Sequence, residues 1–418
     1  MASIRPFRGL RFSGAAGNLN DLTAPPYDVL SAVERDAYAA RNSRNIVHLT
    51  LPEANPDDRS KFVKYARSSA LLNEWRRDGF LQMEERPAIY RYTQTFKIDP
   101  AGADLVRTAI ITLLKTEPYD RGVVLPHEQT FPKHKEDRLR ILEATRAHLE
   151  CIFGLFEDDG GIYRSICDAP ASGLVTASSD DGVDHVLEPI VDSQALDALV
   201  RAMAAKKLWI ADGHHRYETA LNFREASGAG DRDVAEGYLP IALASMSDPG
   251  LVLLPTHRIL RELPLGEEES LKRLATVFDL KPVAPAALIA EIEAFGSRAF
   301  GLAVSGSRGF VLTPKAGVEL LRGEGGDRLR SLDVSILHSL ILTELLGVAG
   351  LDPISYTRDP AEAIAAPAAG AAASFLMTPP SVDDMKAIAL GGEKMPQKST
   401  YYFPKILSGL VLWSLNDF

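Results

Sequence analysis

The chain has 418 residues, 46% apolar and 24% charged, with 56 acidic residues against 46 basic ones. That composition is ordinary for a globular protein and long enough for two or three domains, and the net charge of −10 argues against general attraction to nucleic acid or an anionic membrane. Two cysteines, Cys151 and Cys167, make neither a disulfide framework nor a zinc cluster. "MASIRPFRGLRF" lacks a signal-peptide core and no run of about 18 apolar residues occurs, so a cytoplasmic protein with no membrane partner is expected.

In chain order, residues 4–12 read as a strand and "LTAPPYDVLS" (22–31) as a loop, because Pro25 and Pro26 exclude helix and central strand. Ser31 is placed to cap a short helix through Arg41. "NIVHLTL" (45–51) alternates as a strand does, and residues 57–81 carry Phe62, Tyr65, Leu72 and Trp75 at helical spacing with Gly79 as the stop. Strands follow at 88–98 and 106–115, a polar stretch leads into a helix ending near Leu149, and "CIFGLFED" (151–158) reads as a strand that buries Cys151. Residues 159–192 give weak strand signals. A helix at 193–206 precedes "KLWIADG", and another follows it. Two buried strands are expected within 239–260, then helix, helix and hairpin over 265–330. A strong helix at 332–347 and a tail of strand character complete the chain. Strands and helices alternate without a regular period, so the fold class is α+β, a mixed sheet with packed helices.

"LWIADGHHRYETALNF" (208–223) joins a strand to a helix through Gly213. A helix start presents unpaired N–H groups and the positive end of its dipole. With Arg216, His214 and His215 beside it, the turn suits a phosphate. Asp212 is placed to cap the helix, or to hold a metal or a hydroxyl. A zinc helix needs ligands four apart, and adjacent histidines point about 100° apart, so no metal site is assigned. In the plainer reading, Asp212 caps the helix and the histidines bond to neighbouring loops.

"PHEQTFPKHKEDR" (126–138) gathers His127, Glu128, Thr130, Lys133, Lys135, Asp137 and Arg138. Glu128 or His127 offers a base beside the cations Lys135 and Arg138; the alternative is a solvated helix start. "GGEKMPQKST" (391–400) has P-loop spacing, but Gln397 stands where the second glycine belongs and "YYFPKI" follows as a strand. It is a turn whose Lys398, Ser399 and Thr400 suit an anion, or else a surface loop. "APPYDV" (24–29) holds Tyr27 and Asp28 on a rigid loop, for function or for packing. His48, His185, His257 and His338 read as structural.

"ADGHHRYETA" resembles the phosphate-binding box of the ParB/sulfiredoxin-like superfamily, in which a glycine-led turn opens a helix and holds nucleotide phosphates. The free serine kinases, with an Asp-Gly-His-His-Arg form, are the most similar members. Over "APPYDVLS", "NIVHLTLPE", "PHEQTFPKHKEDRLRILEATRAHLECIF", "WIADGHHRYETAL" and "MPQKSTYYFPKILSGLVL" the chain resembles the domain-of-unknown-function family ten-fifteen. The box has no cysteine, which argues against sulfinic acid reduction. No helix-turn-helix follows it, which argues against plasmid partitioning. The resemblance implies a ParB/sulfiredoxin-like core with additional α/β segments: a nucleotide-binding region at 1–262, an accessory lobe at 263–330, and a segment at 331–418 returning to the core. It also implies a nucleotide-dependent phosphotransferase that uses Mg²⁺ with ATP or ADP on a hydroxylated metabolite, free L-serine giving O-phosphoserine. Asp212, Gly213, His214, His215, Arg216, Lys135, Arg138, Lys398, Ser399 and Thr400 would hold the nucleotide and its phosphates, and Glu128, Asp28 or His127 would serve the acceptor hydroxyl. A phosphatase acting on phosphoserine and a non-catalytic nucleotide switch are the alternatives.

Overall fold

A computed structural model describes residues 2–130 and 132–418, and for residues 132–134 the backbone alone; Lys133 therefore lies outside the described side chains. Two compact units emerge. The first takes Met1–Pro126, Thr130–Leu251 and Pro404–Phe418; the second takes His127–Gln129 and Val252–Phe403. The class is α+β, as the sequence indicates.

The first unit is built on a nine-stranded mixed sheet. In chain order its strands are β1 (Ile4–Arg5), β2 (Ile89–Phe96), β3 (Leu105–Lys115), β4 (Val124–Leu125), β5 (Ile152–Phe156), β6 (Val175–Ser178), β7 (Asp184–Ile190), β8 (Leu208–Asp212) and β9 (Tyr238–Ser245). Their order across the sheet is β4-β8-β5-β9-β3-β2-β7-β6, with β1 also paired to β3. The pairs β4–β8 and β5–β9 are parallel and the others antiparallel. The near-continuous apolar runs of β3 and β9 are those of strands buried on both faces. Pro240 fits inside β9 because pairing to β5 starts only at Ile241, so its missing N–H interrupts no bond there.

The longer helices of this unit are α1 (Ala32–Arg41), α2 (Val63–Arg77), α3 (Pro132–Thr145), α4 (Ser193–Ala204) and α5 (His214–Ala226). Leu199 and Met203 of α4 and Tyr217 and Ala220 of α5 pack with Ile4, Ile110, Ile210 and Ile241 of the sheet. Leu72 and Trp75 of α2 join Ile141 of α3 and Leu412 in a separate cluster. Each large apolar side chain so buried contributes roughly 1.5–3 kcal/mol. Two expectations change. "NIVHLTL" is helical over Val47–Thr50: Asn45 Oδ1 accepts from Val47 N at 3.0 Å while its amide donates to Asp21 O and Thr23 O, which turns the chain where alternation alone suggests a strand. Within 159–192 a helix, Ile162–Asp168, starts where Asp158 accepts from the N–H groups of Ile162 and Tyr163.

The second unit carries an antiparallel six-stranded sheet. It comprises β10 (His257–Leu260), β11 (Phe278–Val283), β12 (Phe300–Val304), β13 (Arg308–Pro314), β14 (Ile354–Thr357) and β15 (Ala373–Leu376), ordered β11-β13-β12-β15-β10-β14. Val252–Leu254 pairs separately with Tyr401–Phe403. The β12–β13 hairpin and the helices Glu267–Val277 and Leu288–Phe295 match the pattern read over 265–330, with β11 an added strand. The helix expected at 332–347 is present, but Ile336–Leu345 is wound as a π-helix, with Leu346 N donating to Ile341 O. Among the described residues no helix is long and apolar enough to cross a membrane.

Candidate functional site

The strand-to-helix corner in the first unit is shaped by two local irregularities. Ile210 faces Gly154 of β5 and Asp212 faces Phe153, so Ala211 is an extra residue, a bulge that turns Asp212 to a new direction. Gly213 then takes φ 87° as the N-cap of α5. A Cβ there would lie 2.8 Å from Ile152 Cγ2, so the position requires glycine on two grounds, conformation and space. The N–H groups of His214, His215 and Arg216 open the helix and have no acceptor within it.

Asp212 does not cap this helix; Gly213 holds the cap position. The Asp212 carboxylate instead takes two cations: Lys405 Nζ at 2.6 Å from Oδ1, and Arg216 Nη2 at 3.0 Å from Oδ2. Burial opposes its ionisation, but Lys405 and Arg216 outweigh burial and hold the carboxyl below the usual carboxylate range. Arg216 is 9% exposed, and its Nη1 donates to Cys151 O at 2.5 Å. Its Nε is buried without a hydrogen-bond partner. Burial works against the guanidinium charge, yet Glu150, Asp28 and Asp212 together raise its affinity for the proton. The neighbouring Cys151 thiol is pushed up to about 12 by burial, as a structural cysteine would be.

Around this corner the fold gathers residues from four distant segments. Arg138 of α3 stacks over the Tyr27 ring at 4.0 Å, and Arg216 approaches the same ring at 5.8 Å. Glu150 Oε1 accepts from Tyr27 N at 3.0 Å and from Ser408 Oγ at 2.9 Å, and its Oε2 lies 3.9 Å from Arg138. A cavity of about 50 Å³ is lined by Arg138, His148, Glu150, Arg216, Thr219 and Leu239 among others. Asp28 is exposed on its loop within electrostatic reach of Arg216. Lys135 is committed differently, to Glu218 at 2.9 Å, which also accepts from Thr130 Oγ1 at 2.7 Å.

Lys405 and Glu150 escape sequence reasoning. Lys405 follows a proline in an apolar tail, 193 positions from Asp212, and no spacing rule reaches that far. Buried groups hold it in place: Gln94 Nε2 donates to Lys405 O at 2.9 Å, and the fully buried Arg107 bridges Gln94 Oε1 and Pro404 O.

His127, Glu128, Lys398, Ser399 and Thr400 come together in the second unit. His127 Nε2 lies 2.7 Å from Thr400 Oγ1, Glu128 Oε1 accepts from Lys398 N at 3.0 Å, and Met395 N donates to His127 O at 2.7 Å. Lys398 adopts φ 56°, and Ser399 Oγ donates to Pro396 O at 2.5 Å. The segment enters a strand, Tyr401–Phe403, rather than the helix a P-loop requires. His338 Nε2 accepts from Arg258 Nε at 3.3 Å, and His185 contacts Tyr92 Oη and Ser179 Oγ, so both have the bonding of structural histidines. Among the described residues no three His, Cys, Asp or Glu side chains gather as a metal cage.

Several solved structures are similar to the chain at low identity. One is a conserved hypothetical protein from Pyrococcus furiosus (14% identity, TM-score 0.36, 71% of this chain and 94% of that one). A mutant free serine kinase in complex with ADP matches at 14% identity and TM-score 0.37, over 73% of this chain and 91% of that one. SbnI with C-terminal truncation from Staphylococcus aureus matches at 12% identity and TM-score 0.36, over 72% and 86%. No curated protein matches. A family model matches residues 4–335, most of the chain, which therefore belongs to the family described as Protein of unknown function (DUF1015).

Proposed function

We propose that the first unit binds the phosphates of a nucleotide at the start of α5, and that the protein is a small-molecule kinase acting on a hydroxylated metabolite such as free L-serine. One observation carries the reading. Arg216 is buried at a glycine-led helix start with its Nε unpartnered, beside the cations Arg138 and Lys405. A phosphate oxygen satisfies such a donor, and the helix N–H groups favour the same charge. Phosphoryl transfer asks the protein chiefly for alignment and charge neutralisation, which this corner supplies. Mg²⁺, bound with the nucleotide, would neutralise phosphate charge. Asp28 is the proposed proton acceptor in the first unit. His127 and Glu128, with Lys398, Ser399 and Thr400, form a second set whose substitution tests whether the second unit takes part.

Calorimetric titration with ATP, ADP and CTP, and phosphorus NMR of mixtures with and without serine, test the proposal. Wild type is expected to bind at least one nucleotide, and Arg216→Ala to lose at least a hundredfold in affinity while keeping its circular dichroism. Equal binding by the variant, or no nucleotide binding by wild type, would overturn it. Phosphate release from phosphoserine without nucleotide would make the protein a phosphatase instead.

A further inference from the structure

Two cations placed to receive a phosphate in the first unit, Lys405 and Arg216, are held by a single carboxylate, one on each oxygen of Asp212. All three side chains are mostly buried, at 12%, 10% and 16% exposure, so water screens these contacts weakly. We propose that Asp212 is a built-in competitor for the anion site: an arriving phosphate takes over Lys405 and Arg216, and Asp212 yields them. The inference rests on the anion-binding part of the reading above and adds opposed roles for Asp212 and Lys405.

Four further observations favour it. The bulge at Ala211 re-aims the Asp212 side chain, whose two oxygens meet Lys405 and Arg216. Lys405 is brought there by dedicated buried groups, Arg107 and Gln94 on the backbone of Pro404 and Lys405, so its position is constructed. The neighbouring carboxylates are otherwise placed: Asp137 pairs with Arg138 at 2.5 Å, and Asp28 is exposed on its loop. Glu150 is committed to Tyr27 N and Ser408 Oγ, which leaves Asp212 as the carboxylate whose release exposes both Lys405 and Arg216. Arg216 Nε also keeps donor capacity that Asp212 does not use.

Inorganic phosphate, titrated calorimetrically into the full chain, is the probe. Asp212→Asn keeps the shape and removes the charge, and is expected to bind phosphate at least tenfold tighter than wild type. The gain should vanish in Asp212→Asn combined with Lys405→Met, which a merely structural ion pair would not produce. Phosphate binding no tighter than wild type, including no measurable binding by either protein, overturns the proposal. Asp212→Ser repeats the test should the asparagine variant not fold. Failure of both to fold also overturns it, because a carboxylate that yields to a ligand cannot be one the fold depends on. Absence of ATP and ADP binding by wild type would sink the kinase reading and leave this result standing on phosphate alone.

Discussion

A side chain at Gly213 has nowhere to go. Its φ of 87° disfavours any L-residue, and a Cβ would meet Ile152 Cβ at 3.0 Å and Arg216 Nε at 3.1 Å. Gly213→Ala is therefore expected to cost about 1–3 kcal/mol of stability, read from urea unfolding, and to weaken phosphate binding by displacing Arg216. An alanine variant as stable as wild type would show that the corner yields. This much was legible in the sequence, because a glycine between a strand and a helix declares a backbone need by its residue type. The partners of Arg216 were not. Asp212 looks like a cap until the bulge at Ala211 turns it, and Lys405 reaches it only through a tail that folds back from the far end of the chain. Local spacing encodes conformation, whereas ion pairs between distant segments are set by topology.

Elements with strong local signals are legible in the sequence for local reasons. Ser31 opens α1 with a full capping box: its Oγ accepts from Glu34 N at 3.3 Å, and Glu34 Oε2 accepts from Ser31 N at 2.8 Å. Since these groups are exposed, Ser31→Ala removes the cap without opening a cavity. It should cost about 1 kcal/mol and speed hydrogen exchange in the first turn of α1, and unchanged exchange there would show the cap to be idle. Short apolar runs lack such punctuation. Val47–Thr50 became helical because Asn45 spends both ends of its amide on the neighbouring backbone, a bond pattern that alternation does not reveal. Likewise the apolar periodicity of residues 332–347 shows that the segment is helical, but cannot tell a π-wound turn from an α one, because the two differ in which carbonyl each N–H selects.

At the scale of the molecule, the first unit is assembled from three stretches of chain and the second from two, and buried imidazoles lie in both. Burial pushes His148 and His185 of the first unit down to about 4, and His257 and His338 of the second to about 4 and about 3. Such a group is neutral in the fold and ordinary in the unfolded chain, which titrates near 6.5. Its contribution to stability is therefore complete above about pH 6.5. It declines as pH falls toward the folded value, because the unfolded state binds the proton first. The slope is roughly 1.4 kcal/mol per pH unit for each imidazole. Depressed carboxylates act lower: Asp212, and Asp137, held to about 2 where Arg138, Tyr65 and Lys64 outweigh burial, lose their contribution only as pH falls below about 4. Urea unfolding at pH 7 and at pH 5.5 separates the two windows. The midpoint should fall across this interval with proton uptake on unfolding, and His257→Gln should flatten the loss. A midpoint that stays level from pH 7 to 5.5 would mean that these imidazoles are not held neutral.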